Sequence, residues 1–240
     1  MKNLILSTTF LALSAIMSNA EIVRIGTEGN YRPYNFINDA GEVDGFEREL
    51  GDELCRRAEL TCEWVANKWD SIIPNLVSGK YDAIIAAMSV TAERDRAIDF
   101  TQSYMPPATS AYAALSADVN VKSGSVSAQT ATVQAGYVAE SGAKLRDFAT
   151  GDEAVAAVRN GKAVAVLADK DFLAPIVAGA NGALVFVGED IVIGDGVAIG
   201  LRESETDLKG KFDASIQSMK DDGMLNAMIK KWFGDSAAVF

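Results

Sequence analysis

Histidine is missing from all 240 residues, which removes both the commonest general base and the commonest metal ligand. Basic residues are scarce as well, with 22 lysines and arginines against 33 aspartates and glutamates. So acidic a chain is a poor partner for nucleic acid or an anionic membrane surface. It does not forbid binding an anion, because one local pocket can oppose the global sign. No apolar run reaches the roughly twenty residues that span a bilayer. There is no fixed-period repeat and no low-complexity tract. Neither a cofactor nor a metal is expected.

The two cysteines are Cys55 and Cys62. Their meaning depends on the first twenty residues. Lys2 gives a positive start, Leu4 to Ile16 is mostly apolar, and Ser18-Asn19-Ala20 has the small-x-small form of a cleavage site. Residues 1–20 therefore read as a signal peptide cleaved after Ala20. Its loss removes Lys2 and no acid, taking the formal charge from −11 to −12. No cysteine follows directly to carry a lipid anchor, so a free product outside the cytoplasm is expected. In that compartment the two cysteines are expected to form a disulfide across a short loop. Two buried free thiols are the alternative.

What remains is long enough for one large domain or two lobes of roughly 100 residues each. Phe46, Leu50, Leu54 and Ala58 recur every four residues and predict a helix over 46–58, ahead of a strand at Thr61–Val65. A second helix opens at Trp69-Asp70 and stops at Gly79. Ile22–Gly26 and Ala83–Ala87 complete a strand–helix–strand–helix–strand series, the pattern of an α/β layer. Pro106-Pro107 then breaks the pattern. A polar stretch over 116–129 follows, before a second α/β set with strands at Ala131–Gln134, Lys144–Phe148, Ala163–Leu167 and Leu184–Val187. Its helices are expected over 150–160 and 171–178. A strand at Val197–Leu201 and two helices, 205–222 and 223–233, close the chain.

One stretch carries chemistry of its own. Ile84 to Arg94 runs from an apolar strand through small and hydroxylated residues to Thr91, a candidate helix N-cap. Such a terminus leaves backbone N–H groups aimed at an anion, and Arg94 adds a fork matched to a carboxylate. The plainer reading pairs Arg94 with Glu93 or Asp95 on the surface.

Several motifs stand in a familiar order. They are Val23-Arg24-Ile25-Gly26-Thr27-Glu28 with Tyr31 and Pro33, Gly45-Phe46-Glu47, Trp69-Asp70, Tyr81-Asp82-Ala83-Ile84, Ser89-Val90-Thr91 with Arg94, Gly194-Asp195-Gly196, Gly200-Leu201-Arg202, Asp221-Asp222-Gly223 and Lys231-Trp232-Phe233. In this order the chain resembles the polar amino-acid-binding proteins of bacterial ABC importers, solute-binding family 3. Glu28, Glu47 and the cysteine pair suggest the branch for lysine, arginine, ornithine, histidine and opines. The resemblance implies an α/β periplasmic binding protein (Venus flytrap) fold whose two lobes each hold a mainly parallel sheet. Lobe one would comprise 21–108 and 193–240, and lobe two 109–192. The lobes would trap a ligand by hinge closure, and the monomer would dock on an ABC permease in the inner membrane.

Site roles implied by the resemblance fall on particular residues. Arg94 would pair with the α-carboxylate, aided by the Ala87, Met88 and Ser89 turn. Asp169 would take the α-ammonium, and Tyr31 and Trp69 would flank the side chain. Glu28, with Glu47 as a second candidate, would meet a cationic side-chain end. Gly136-Tyr137 would stand where the family has a glycine–threonine turn, and Ala86-Ala87 where it often has hydroxyl residues. Plainer roles exist for most of these: core aromatics for Tyr31 and Trp69, a helix cap for Asp169, an internal acceptor for Glu28. A non-catalytic receptor for lysine or arginine is the leading expectation. An opine or another polar amino acid is the alternative. A dehydratase on the same fold is a further one, disfavoured by the missing histidine.

Overall fold

In the computed structural model, which describes residues 22–240, the first apolar run is β1 (Ile22–Thr27) at the heart of a sheet. The expected signal peptide, Met1 to Ala20, lies outside the described residues. A three-stranded ribbon follows: β2 (Asn30–Tyr31), β3 (Asn35–Ile37) and β4 (Val43–Asp44). Next come α1 (Phe46–Arg57), β5 (Thr61–Ala66), α2 (Ile72–Val77), β6 (Ala83–Ile84) and β7 (Asp99–Phe100). The second layer is β8 (Thr109–Ala114), β9 (Ser125–Gln129), α3 (Val133–Glu140), β10 (Lys144–Phe148), α4 (Gly151–Arg159), β11 (Ala165–Asp169), α5 (Lys170–Gly179) and β12 (Val185–Val192). Then β13 (Gly200–Leu201), α6 (Thr206–Asp221) and α7 (Met224–Phe233) close the chain.

Two five-stranded sheets result, ordered β5-β1-β6-β13-β7 and β10-β9-β11-β8-β12. β1 lies parallel to β5 and β6, whereas β13 runs antiparallel to β6 and β7. Likewise β9 is parallel to β10 and β11, and β8 antiparallel to β11 and β12. Each sheet is thus half parallel rather than mainly so. Its antiparallel part is built where the chain crosses between layers instead of looping back over a helix. The two crossing segments run side by side: Tyr104 N donates to Val197 O at 2.8 Å and Val197 N to Met105 O at 3.1 Å. Val90 N also donates to Gly196 O at 2.8 Å, so the crossings touch the turn after β6.

The helices seat as their apolar spacing requires. Phe46, Leu50 and Leu54 are fully buried one turn apart on α1. Glu47 and Glu49 stand in its first turn and Arg56 and Arg57 in its last, opposing the helix dipole. Gly45 starts it at φ 117°, and a Cβ there would lie 2.5 Å from Tyr34 O. The closing helices dock on α1: Arg57 pairs with Asp222 at 2.7 Å, and Trp232 Nε1 donates to Glu49 Oε2 at 2.7 Å. Asp82 ties β1 to β13 by accepting from Arg24 and Arg202, each at 2.9 Å. Cys55 and Cys62 form a disulfide between α1 and β5.

Three local expectations change. No strand covers 131–134, because β9 ends at Gln129 and α3 begins at Val133. Ala83–Ala87 contributes just two residues to the sheet. After Thr91 the chain makes a single 3-10 turn, Arg94–Arg96, rather than a helix, although Thr91 Oγ1 does accept from Arg94 N at 3.2 Å.

Candidate functional site

Between the two sheets lies a narrow cleft. Lobe one supplies Glu28, Tyr31, Trp69, Ala86, Ala87, Ser89 and Arg94, and lobe two supplies Gln129, Thr132, Val133, Gln134 and Asp169. Most come from the loops beyond the carboxyl ends of strands, where open α/β sheets bind ligands. Glu28 follows β1, the Ala86–Arg94 turn follows β6, Thr132 follows β9, and Asp169 ends β11.

Arg94 does not pair with Glu93, Asp95 or any other acid among the described residues within 4.0 Å. Its guanidinium donates to Ser89 O at 2.8 Å and across the cleft to Ala131 O at 3.2 Å. It also lies 5.2 Å from the Trp69 ring centre. Burial pulls it down to about 10. A half-buried cation that touches only carbonyls and a ring, with Asp169 and Glu93 acting on it from beyond 4.0 Å, has room for a directly bonded anion.

Asp169 holds the N-cap position of α5, yet its side chain makes no cap hydrogen bond. The carboxylate turns into the cleft, where Oδ2 accepts from Tyr31 OH at 2.8 Å and Oδ1 from Gln134 Nε2 at 2.8 Å. Burial pushes it up to about 6, against those two donors and Arg94. Glu28 faces it from lobe one. Its Oε1 accepts from Gln129 Nε2 at 2.6 Å, and burial pushes it up to about 7. Tyr31 stacks on Phe172 of lobe two, centre to centre 4.3 Å at 3°. The cleft thus gathers one half-buried cation, Arg94, one buried acid, Asp169, and one half-buried acid, Glu28, whose charged forms lack full compensation.

Four expected residues lie elsewhere. Glu47 is fully buried beneath the lobe-one wall. Its carboxylate accepts from Asn35 Nδ2 at 2.7 Å, Ala87 N at 2.6 Å and the Tyr104 hydroxyl, which leaves it no face toward the cleft. Met88 is likewise fully buried, packed with Trp69, Leu76 and Ile98. Gly136 and Tyr137 fall a turn inside α3, where Tyr137 is 39% exposed on an outer groove that borders the cleft and shares Trp69, Arg94, Thr132 and Val133 with it. Because α3 begins at Val133, its first turn, Thr132 to Gln134, fronts the cleft instead. The resemblance pointed one turn too late.

Gln129, Thr132, Val133 and Gln134 were not foreseen. The available signal was Thr132 as an N-cap before an apolar residue, and its hydroxyl does accept from Ala135 N at 3.2 Å. Gln134 is anchored by Ser110 Oγ at 3.0 Å while it holds Asp169.

The family described as bacterial extracellular solute-binding proteins, family 3, matches residues 23–235. One similar solved structure is a periplasmic His/Glu/Gln/Arg/opine family-binding protein from Silicibacter pomeroyi in complex with lysine. It is 68% identical with a TM-score of 0.90, over 91% of this chain and 100% of that one. The lysine/arginine/ornithine-binding periplasmic protein of Escherichia coli is 29% identical over 97% of each chain. An ancestral amino-acid-binding protein that is a precursor of cyclohexadienyl dehydratase is 27% identical, with a TM-score of 0.78, over 88% of this chain and 95% of that one.

Proposed function

Since this chain belongs to the bacterial extracellular solute-binding proteins of family 3, we propose that it captures a basic amino acid, lysine or arginine, by closing its lobes on it. The observation that carries this reading is the charge count in the cleft. Arg94 is one cation, half-buried, and Asp169 and Glu28 are two acids, one buried and one half-buried. A basic amino acid is the complement, one carboxylate and two cations. A neutral amino acid would leave one acid buried without a partner, and an acidic one would add a third negative charge.

Each group then has a place. The α-carboxylate lies on Arg94 and the first N–H groups of α3, which have no partner inside the helix. The α-ammonium meets Asp169, and the side-chain cation meets Glu28. The methylenes run between Tyr31 and Trp69. Arg94 and Glu28 belong to one lobe and Asp169 to the other, so the ligand is fully bonded only when the lobes meet. The lobes are taken as 21–108 with 193–240, and 109–192. The precursor is exported with residues 1–20 removed, and the loaded monomer delivers its ligand to a membrane permease without chemical change.

The cleft wall bears alanines at 86 and 87, which leaves width for a bulkier side chain, and the lysine-bound relative is named for opines as well. An opine is therefore the second reading. Thermal unfolding with lysine, arginine, ornithine, histidine, octopine, glutamine and glutamate separates the two. Lysine and arginine should raise the melting temperature most. An unchanged melting temperature with all four basic amino acids rejects the leading reading.

A further inference from the structure

Glu47 is buried, charged by type, and outside the cleft, so its retention in a core calls for a reason. Each of its partners comes from a different part of the site. Ala87 N, in the turn that leads to Arg94, donates to Oε1 at 2.6 Å. Asn35 Nδ2 donates to Oε2 at 2.7 Å, and Asn35 Oδ1 accepts from Gly29 N, beside Glu28, at 2.7 Å. Tyr104, on a crossing segment between the lobes, donates its hydroxyl to Oε1. Glu47 and Asn35 are both fully buried.

We propose that Glu47 is the positioning residue that fixes the spacing between the Glu28 end and the Arg94 end of the cleft. The inference rests on the reading of that cleft as a basic-amino-acid site. The polarity of the hydrogen bonds is what requires an acid. Gly29 N–H and Ala87 N–H can only donate, so Asn35 must turn its oxygen to Gly29 and its NH2 to Glu47. Every bond in the chain therefore runs toward position 47 and ends on a group with two acceptor oxygens and no hydrogen. Burial pushes the Glu47 carboxyl up, and the donors from Tyr104, Ala87 and Asn35 draw it back. Ala87 itself sits at φ 49°, a left-handed conformation that a non-glycine residue keeps only when its surroundings hold it. The bond to Glu47 is such a hold.

Glu47→Gln tests this with almost no change of shape. The new amide oxygen keeps Ala87 and Tyr104, but its NH2 faces the NH2 of Asn35. Flipping Asn35 only moves the mismatch to Gly29 N–H, next to Glu28. The defect lands at the side-chain end of the cleft. Asn35→Asp combined with Glu47→Gln restores the logic, because a carboxylate at 35 accepts from both Gly29 N–H and the new amide.

Calorimetric titrations with lysine and arginine on wild type, Glu47→Gln and the double variant decide the matter. The single variant should weaken lysine binding roughly 5- to 150-fold, the range for one mismatched buried donor. It should also change the lysine-to-arginine affinity ratio by about fivefold or more, since the two side chains differ in reach. The double variant should return both quantities to within about threefold of wild type. Equal weakening of both ligands, binding within threefold of wild type in the single variant, or no recovery in the double variant overturns the proposal. If the single variant fails to fold, the double variant alone decides: near-wild-type affinity supports the proposal and a tenfold or greater loss overturns it. A wild-type protein that binds neither ligand rejects the reading of the cleft first, and the inference with it.

Discussion

Asp169→Asn should make stability less sensitive to rising pH while it weakens ligand binding. Both oxygens of Asp169 are occupied, Oδ1 by Gln134 Nε2 at 2.8 Å and Oδ2 by Tyr31 OH at 2.8 Å. An asparagine fits this network without a clash. Its oxygen keeps Gln134, and its NH2 donates to the Tyr31 oxygen, since a phenol serves as donor or acceptor. The charge is lost, and so is the acceptor for the Tyr31 hydroxyl proton, a cost of about 1–3 kcal/mol that does not change with pH between 4.5 and 8. Burial holds the Asp169 carboxyl at about 6 instead of 3.8. An acid whose pKa is raised by folding binds its proton more tightly in the folded state. Its ionisation therefore destabilises that state above about pH 6, and the penalty lifts as pH falls through 6 toward the unfolded value. The two-unit gap corresponds to about 3 kcal/mol at most. In a protein of this size that upper bound is worth roughly 5–10 °C of melting temperature. The ligand-free variant should thus gain on wild type as pH rises from 4.5 to 8, the fixed cost at Tyr31 shifting both pH values alike. Lysine binding weakens. Removing one partner of a buried ion pair costs about 3–5 kcal/mol, more than a hundredfold in affinity. Differential scanning calorimetry at both pH values and titration with lysine at pH 8 read the two effects. A variant-minus-wild-type melting difference that fails to rise from pH 4.5 to pH 8, or a loss of affinity under tenfold, refutes the reasoning.

Glu28→Gln should weaken lysine and arginine by about 2 kcal/mol or more while raising the relative affinity for glutamine, which a competition titration measures. Tyr137→Ala should leave lysine affinity within about twofold, because the ring lies on the outer groove; a tenfold loss would return Tyr137 to the site. Reduction of Cys55–Cys62 should cost about 2 kcal/mol, its loop being short, and lower the melting temperature by roughly 5 °C. Lysine affinity should change little, as the bridge lies at the far end of α1 from the cleft; denaturant curves with and without reductant check the first point.

The fold was legible where local signals and burial agreed. The fourfold spacing on α1 reads directly as its buried face, and Thr150 opens α4 as its type suggests, accepting from Glu153 N at 3.1 Å. It was illegible where tertiary bonds replace pattern. Ser125 to Gln129 reads as a polar loop, yet it is the interior strand β9, between β10 and β11, with Ser127 and Gln129 buried. Ser127 Oγ donates to Ala154 O at 2.7 Å, and Gln129 Nε2 donates to Glu28, partners far off in sequence. A strand whose polar residues are satisfied from other elements gives no alternation to read. Placing the strand later, at 131–134, carried the cleft-facing turn along with it, and Gly136-Tyr137 took the place of Thr132 to Gln134. Glu47 misled for a related reason. In sequence it is a first-turn acid on an amphipathic helix, a usual place for one. Only the convergence of Asn35, Ala87 and Tyr104 on it marks it as internal.

The two ends of the cleft differ in how they are held. At the Arg94 end both walls carry a non-glycine residue in the left-handed region, Ala87 at φ 49° and Ala131 at φ 56°. Each costs on the order of 1 kcal/mol and is kept by a hydrogen bond, Ala87 N–H to Glu47 and Ala131 O from Arg94. On the proposed reading that end takes a carboxylate, the part every α-amino acid has in common. At the other end Glu28 has one partner in the cleft, Gln129, and it comes from the opposite lobe. A neutral amide leaves the charge of Glu28 in place, so a ligand cation still gains by arriving. Arg94 reaches Ala131 across the cleft just as Gln129 reaches Glu28, so both ends are bridged between the two sheets. On the proposed reading, head and side chain are therefore both fully recognised only when the lobes meet. The Ala87–Arg94 turn would then account for the amino acid head, and Glu28, with Glu47 spacing it from that turn, for the choice of side chain.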